Sequence, residues 1–365
     1  MMFLHLLTTM FAGLIANAVL TPLIILLAHR YRWYDERNHR KIHTDDTPRI
    51  GGVGIYAGFL IAALVAITFG MGTASIRPFG PHAGAERLIV DFLPLILGMT
   101  VIFWLGLIDD FRNLRAAHKL IIQIAAAAIV TIGPFRIDRY TVPFLWQSHS
   151  LGVLSVPVTV IWIVSISNAL NFIDGVDGLA GGNAALAALF FAVIALMTGQ
   201  GITALLAVAL LGSVLGFLAY NMPSARIFMG DSGSYVLGFL LAVFPLLVTE
   251  GEAINLNLIP AITVLGVPVL DVTTSVFRRV KRGQHPFSAD REHLHHKLME
   301  IGFGTRQILA VTYAASILFG LVAVSWYLLP ANAAFLTAFA IWITASAGVM
   351  VLSRARRRQV EQQPE

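Results

Sequence analysis

The chain has 365 residues, of which 57% are hydrophobic and only 12% charged, and its mean hydropathy is +0.77. A soluble domain carries about twice that charged share, so a water-soluble enzyme is excluded, and the net charge of +5 gives no ground for a nucleic-acid partner. The absence of cysteine excludes disulfides and thiolate chemistry.

Apolar runs near 20 residues long recur from end to end, each long enough to cross the ~30 Å hydrocarbon core as a helix. They predict about eleven transmembrane helices, near residues 3–28, 51–71, 89–108, 119–133, 151–170, 179–198, 202–220, 234–248, 258–277, 307–328 and 333–352. The expected fold is therefore all-α and polytopic, in a single domain over residues 1–365. The first run has no basic leader and no small-residue cleavage site, so it reads as a retained span.

Alternating the connecting segments separates the charges. On one side lie only Arg77, Arg87, Arg136 and Arg139; every other one of the 25 lysines and arginines lies on the opposite side. By the positive-inside rule the second side is cytoplasmic, with the N-terminus outside and the C-terminus inside. The tail Arg354–Arg358 is an anchor that also suits anionic lipid.

Five cytoplasmic segments carry the reactive side chains. The first contains Thr47-Pro-Arg-Ile-Gly-Gly52. Its basic residues read mostly as anchors, whereas the paired glycines let the backbone approach something closely. The second is Asp109-Asp110-Phe-Arg-Asn-Leu-Arg-Ala-Ala-His118-Lys119. Adjacent carboxylates at a helix end are disfavoured by the dipole and repel each other, which suits a general base or a cation ligand as well as a solvated helix end. The third, Asn168–Gly182, has polar residues at Asn168, Asn171, Asp174 and Asp177. Gly175 and Gly178 break the helix there, so the acids line a turn, where such oxygens hold a hard cation or read a nucleoside edge.

The fourth segment, Phe228-Met-Gly-Asp231-Ser-Gly-Ser234, places one acid just before a span, as an N-cap or as a metal ligand. The fifth runs from Arg278 to Arg306 and includes His285, Arg291, His293, His295 and His296. Zinc is disfavoured by the basic surroundings and the lack of cysteine; phosphate or sugar binding fits better. Asp271, in the last turns of the preceding span, is expected to pair with a basic residue of this loop.

Clustered carboxylates and cations on one membrane face suit Mg²⁺-assisted chemistry on phosphates. In their order along nearly the whole chain, these motifs resemble the polyprenyl-phosphate N-acetylhexosamine-1-phosphate transferases. The most specific are Asn168–Gly182, Phe228–Ser234 and Pro286–His296. The likeness is to the branch that makes undecaprenyl-diphospho-N-acetylglucosamine. It implies transfer of N-acetylglucosamine 1-phosphate from UDP-N-acetylglucosamine to undecaprenyl phosphate, with release of UMP, at the cytoplasmic face of a bacterial inner membrane. It implies Mg²⁺, with Mn²⁺ as a substitute, bound by Asp231 and Asn171. Asp109, Asp110 and Asp174 would be the catalytic acids, the first two acting on the lipid phosphate. Asp177 and Phe228 would meet the nucleotide, and Lys119, Arg291, His293, His295 and His296 the diphosphate and sugar. A homodimer is a further expectation. Alternatives are a 6-deoxy UDP-sugar, a lipid-diphosphate hydrolase, and a transporter of phosphorylated or nucleotide substrates. A transporter would put its charges near the midplane in broken helices.

Overall fold

The structure, a computed structural model, describes residues 1–34, 47–70, 85–142, 147–247, 258–284 and 293–362. Thirteen α-helices are described: α1 (Met2–Tyr31), α2 (Gly52–Gly70), α3 (Ala85–Arg112), α4 (Ala116–Val130), α5 (Ser155–Ile173), α6 (Leu179–Met197), α7 (Gly201–Asn221), α8 (Gly230–Val243), α9 (Leu258–Val264), α10 (Gly266–Lys281), α11 (Leu294–Glu300), α12 (Thr305–Ser325) and α13 (Ala331–Gln362). Eight helices among the described residues are long and apolar enough to span a membrane. Every expected span corresponds to one of these eight, to the shorter apolar helices α2 and α4, or to the pair α9–α10.

Two departures from the expected architecture have local causes. The span expected at 258–277 is broken, and α9 and α10 meet at 91°. Pro268 has no N–H to give the carbonyl of Val264, and its ring would collide with that carbonyl in a continuous helix, so the chain breaks at Leu265. The second departure is an antiparallel hairpin between α4 and α5, β1 (Arg139–Val142) with β2 (Gln147–Ser150), in which Tyr140 faces His149.

Helix α8 is the hub. All of its residues are buried, and it packs against α3 and α5 along its length, with α2 across its start. Membrane helices gain little from burying apolar surface against each other, so close backbone approach and polar contacts fix the packing. Gly106 of α3 is one such contact: a Cβ there would strike the backbone of Asp231 and Ser232. On the other flank, the Trp162 indole N–H of α5 donates to the carbonyl of Ala242 (2.8 Å). A buried polar seam ties α1, α2 and α7: Asn17 donates to the carbonyl of Ser213 (2.7 Å), whose hydroxyl donates to the carbonyl of Ile55 (2.9 Å). Together these contacts hold the ends of α3, α4, α5 and α8 in one place, where the functional side chains gather.

Candidate active site

The first turn of α8 is fastened from a different helix. Gly230 turns the chain with φ of +73°, a conformation costly for residues with a Cβ, and an added Cβ would also strike Asp110. The Asp110 carboxylate, at the end of α3, accepts hydrogen bonds from the backbone N–H of Asp231 (2.7 Å) and Ser232 (3.1 Å) and from the Ser232 hydroxyl (2.7 Å). Its side chain is completely buried. A carboxylate on free N–H groups at the positive end of a helix is a cap, here supplied by tertiary contact.

The segment 47–52 lies along the same turn. Phe228 N–H donates to the carbonyl of Pro48 (2.8 Å), while Gly51 and Gly52 donate to the carbonyls of Phe228 (2.9 Å) and Met229 (2.8 Å). A Cβ on Gly52 would strike Ser232 and Gly233, so this is the close approach that the paired glycines permit. The pairing brings Arg49 to Asp231 (3.5 Å) and Asp110 (4.0 Å). Arg49 therefore stands apart from the basic residues of this segment that read mostly as anchors: it reaches the acidic cluster. Its side chain is 39% exposed.

Lys119, in the first turn of α4, reaches between two carboxylates. It forms an ion pair with Asp109 and a hydrogen bond to Asp231 Oδ2 (3.2 Å). Asp109 is also held by the N–H of Leu114 (2.6 Å), and Asp231 Oδ1 by the Asn171 amide (3.1 Å). Asn171 donates in turn to the Ser234 hydroxyl (2.9 Å). Adjacent Asp109 and Asp110 thus face different partners: the lysine cluster and the α8 cap. His118, next to Lys119, is exposed. Asn168 lies outside the cluster, in a reciprocal amide pair with Gln123 (2.8 and 3.3 Å).

Between α5 and α6 the chain makes the turn expected from Gly175 and Gly178. Asp174 closes α5, and among the described residues its carboxylate makes no hydrogen bond. Burial pushes it up to about 7, against the pull of Arg49, and the charges of Asp231, Asp110 and Asp177 add to the rise. Asp177 Oδ2 accepts the N–H of Ala225 (3.0 Å). Asn221 accepts from Gly178 N–H (3.0 Å) and donates to the carbonyl of Ile227 (2.8 Å). Asp177 and Asn221 therefore stitch this turn to the segment that carries Phe228, which is half-buried.

The histidines pack on the same turn. His295 is buried and lies where a Cβ of Gly175 would stand, and among the described residues its Nδ1 has no hydrogen-bond partner. Burial pushes its pKa down to about 4, with His296 adding to the effect. The His293 and His295 rings are stacked with centroids 6.0 Å apart, and His296 lies 4.2 Å from His295. His293 also contacts Phe172, 5.6 Å between rings. Asp271 pairs with this loop as expected, through His293 Nδ1 (2.8 Å). Arg291 lies outside the described residues.

A family model described as glycosyl transferase family 4 matches residues 92–249, a stretch containing Asp109, Asp110, Asp174, Asp177 and Asp231. A Bacillus subtilis (strain 168) protein named probable undecaprenyl-phosphate N-acetylglucosaminyl 1-phosphate transferase is 32% identical, over 86% of this chain and 82% of its own length. The chain belongs to glycosyl transferase family 4. Other similar proteins are the decaprenyl-phosphate N-acetylglucosaminephosphotransferase of Mycobacterium tuberculosis H37Rv and the undecaprenyl-phosphate alpha-N-acetylglucosaminyl 1-phosphate transferase of Escherichia coli K12. The first is 34% identical over 79% of this chain and 74% of its own length. The second is 27% identical over 86% of this chain and 83% of its own length.

In this family 4 chain, no group of three or more His, Asp or Glu among the described residues is arranged to hold a metal ion. The hard donors in the cluster are Asp231 and Asp109, with Lys119 between them and the Asn171 amide N–H turned toward Asp231; a flip of that amide would present its oxygen instead. That set suits Mg²⁺, which takes one or two carboxylates and completes its octahedron with water and substrate phosphate.

Proposed function

We propose that the protein transfers N-acetylglucosamine 1-phosphate from UDP-N-acetylglucosamine to undecaprenyl phosphate. An oxygen of the lipid phosphate attacks the sugar-linked phosphorus, the bond to the UMP oxygen breaks, and UMP leaves with undecaprenyl-diphospho-N-acetylglucosamine as product. The observation that carries this reading is the joint cluster of Asp109, Lys119, Asp231, Asn171 and Arg49 at one end of an apolar helix bundle. Carboxylates and cations meet there where a membrane-embedded phosphate can reach them, in a chain whose relatives are named for this class of transfer. The charge asymmetry of the loops supports placing that end at the cytoplasmic face of a bacterial inner membrane.

In this reading Asp231 and Asn171 would hold Mg²⁺, which would neutralise diphosphate charge. Arg49 and Lys119 offset the remaining phosphate charge. Asp109, kept in place by Lys119 and Leu114, orients the lipid phosphate. Asp110, with both oxygens engaged, positions Asp231 by fixing the start of α8. Asp174, with its carboxyl near neutrality, is poised to take a proton from a lipid phosphate monoester, whose second pKa is about 6. Asp177 and Phe228 form the nucleotide end.

The test is a reconstituted assay with Mg²⁺, undecaprenyl phosphate and a panel of UDP-sugars. UMP and lipid diphosphate-N-acetylglucosamine should appear together. UMP release without lipid phosphate, or none with it, refutes the assignment.

A further inference from the structure

Asp271 belongs to none of the clusters just assigned to metal, nucleotide or lipid phosphate, yet it is among the most buried acids in the protein, 2% exposed in the first half of α10. Both of its oxygens are used. Oδ2 lies 2.8 Å from Nδ1 of His293, and Oδ1 accepts the backbone N–H of Leu294 at 2.6 Å. One carboxylate thus holds the ring of His293 and the main chain beside it. His293 is itself only 8% exposed, lies against Phe172, and stacks with His295. Its ring has no room for a second orientation without losing these contacts.

The chemistry follows from what a carboxylate can do. An ionised carboxylate only accepts hydrogen bonds, so His293 must carry a proton on Nδ1. Among the described residues Nε2 makes no hydrogen bond, so it is the ring atom left for a ligand. A carboxylate behind an imidazole fixes both its tautomer and its direction.

We propose that Asp271 is a positioning residue that holds His293 in the Nδ1–H tautomer and aims Nε2 at the substrate. Asp271 touches no reacting atom and acts through His293. This rests on the transfer reaction proposed above.

Asp271→Asn separates this role from simple packing. Asparagine can still accept the Leu294 N–H through its oxygen. It then turns an NH₂ group toward Nδ1, which must become an acceptor, and the ring proton moves to Nε2. The shape and the backbone hydrogen bond survive while the tautomer inverts.

Two measurements test the proposal. First, kcat and KM for the nucleotide sugar are compared for the wild type, Asp271→Asn, His293→Ala and the double variant. Asp271→Asn should lower kcat/KM by about 10- to 100-fold, the usual effect of losing the partner behind a functional imidazole. In the His293→Ala background it should change nothing beyond about two-fold, because residues acting as one unit are not additive. An unchanged kcat/KM in the single variant overturns the proposal, and so does an equal loss in both backgrounds. Second, nitrogen NMR of histidine-labelled protein, with His293 assigned by its loss in His293→Ala, should show the proton on Nδ1 in the wild type and on Nε2 in Asp271→Asn. A bare Nδ1 in the wild type overturns the proposal even if no transfer is detected, whereas a protonated Nδ1 without transfer condemns only the reaction.

Discussion

Asp110 holds Ser232 by two hydrogen bonds from a different helix, one to the backbone N–H (3.1 Å) and one to the hydroxyl (2.7 Å). Its neighbour Asp109 makes neither contact and meets Lys119 instead. Two adjacent acids therefore do different work, because successive residues of a helix point about 100° apart. The consequence can be measured. Asp110→Ala should destabilise the protein by about 1–3 kcal/mol, the range for a lost cap with hydrogen bonds to a charged group, seen as a lower unfolding midpoint in detergent. Asp109→Ala should abolish turnover with a smaller shift. Equal midpoints for Asp110→Ala and the wild type would count against the capping role.

Gly52→Ala tests the close approach of the first segment to α8. The added methyl collides with Ser232 and Gly233, and overpacking of this kind costs about 1–3 kcal/mol. Turnover should fall with stability, since Arg49 is displaced as well. A variant that is fully active and as stable as the wild type would show that the approach is not needed.

Cation removal gives a third prediction. A chelator should stop turnover and Mg²⁺ should restore it. Asp231→Asn should raise the Mg²⁺ concentration needed by at least about 10-fold, as expected for removing a ligand charge. In Lys119→Met, Asp109 and Asp231 lose the cation they share. The metal-free variant should then be less stable than the wild type and gain more from Mg²⁺ in a thermal-shift assay. Equal Mg²⁺ gains in the two proteins would contradict this reading of Lys119.

The fourth prediction concerns pH. Asp174 titrates near 7 in the folded chain and near 3.8 when unmodified by its surroundings, so the folded state binds the proton more tightly than the unfolded one. Its contribution to stability is present below about pH 4 and is lost as pH rises through about 7. Against Asp174→Asn, the metal-free wild type should therefore lose relative stability between about pH 5 and pH 7 by roughly the slope of one proton, and level off above that. A constant difference across that window would show that Asp174 keeps an ordinary carboxyl.

Much of this was legible in the sequence, and the part that was not has a common cause. The spans follow from composition, and the turn between α5 and α6 from Gly175 and Gly178. Nothing in a linear reading separates Arg49 from the basic residues around it; only the pairing of its neighbours Pro48 and Gly51 with Phe228 brings it to Asp231. The break at Leu265 comes from Pro268, while the apolar run over 258–277 is continuous in the sequence and reads as one span. The different duties of Asp109 and Asp110 could not be read from adjacency, because they depend on which helices lie on either side of α3.

The hydrogen bonds from Gly51 and Gly52 to Phe228 and Met229 also fix when the site comes into being. During synthesis the ribosome delivers the first segment long before residue 228, so a nascent chain with four or five inserted helices has its lysines and arginines but no finished pocket. The carboxylate cluster cannot close before α8 is made, because Asp231 lies on that helix and Lys119, Asn171 and Arg49 all converge on it.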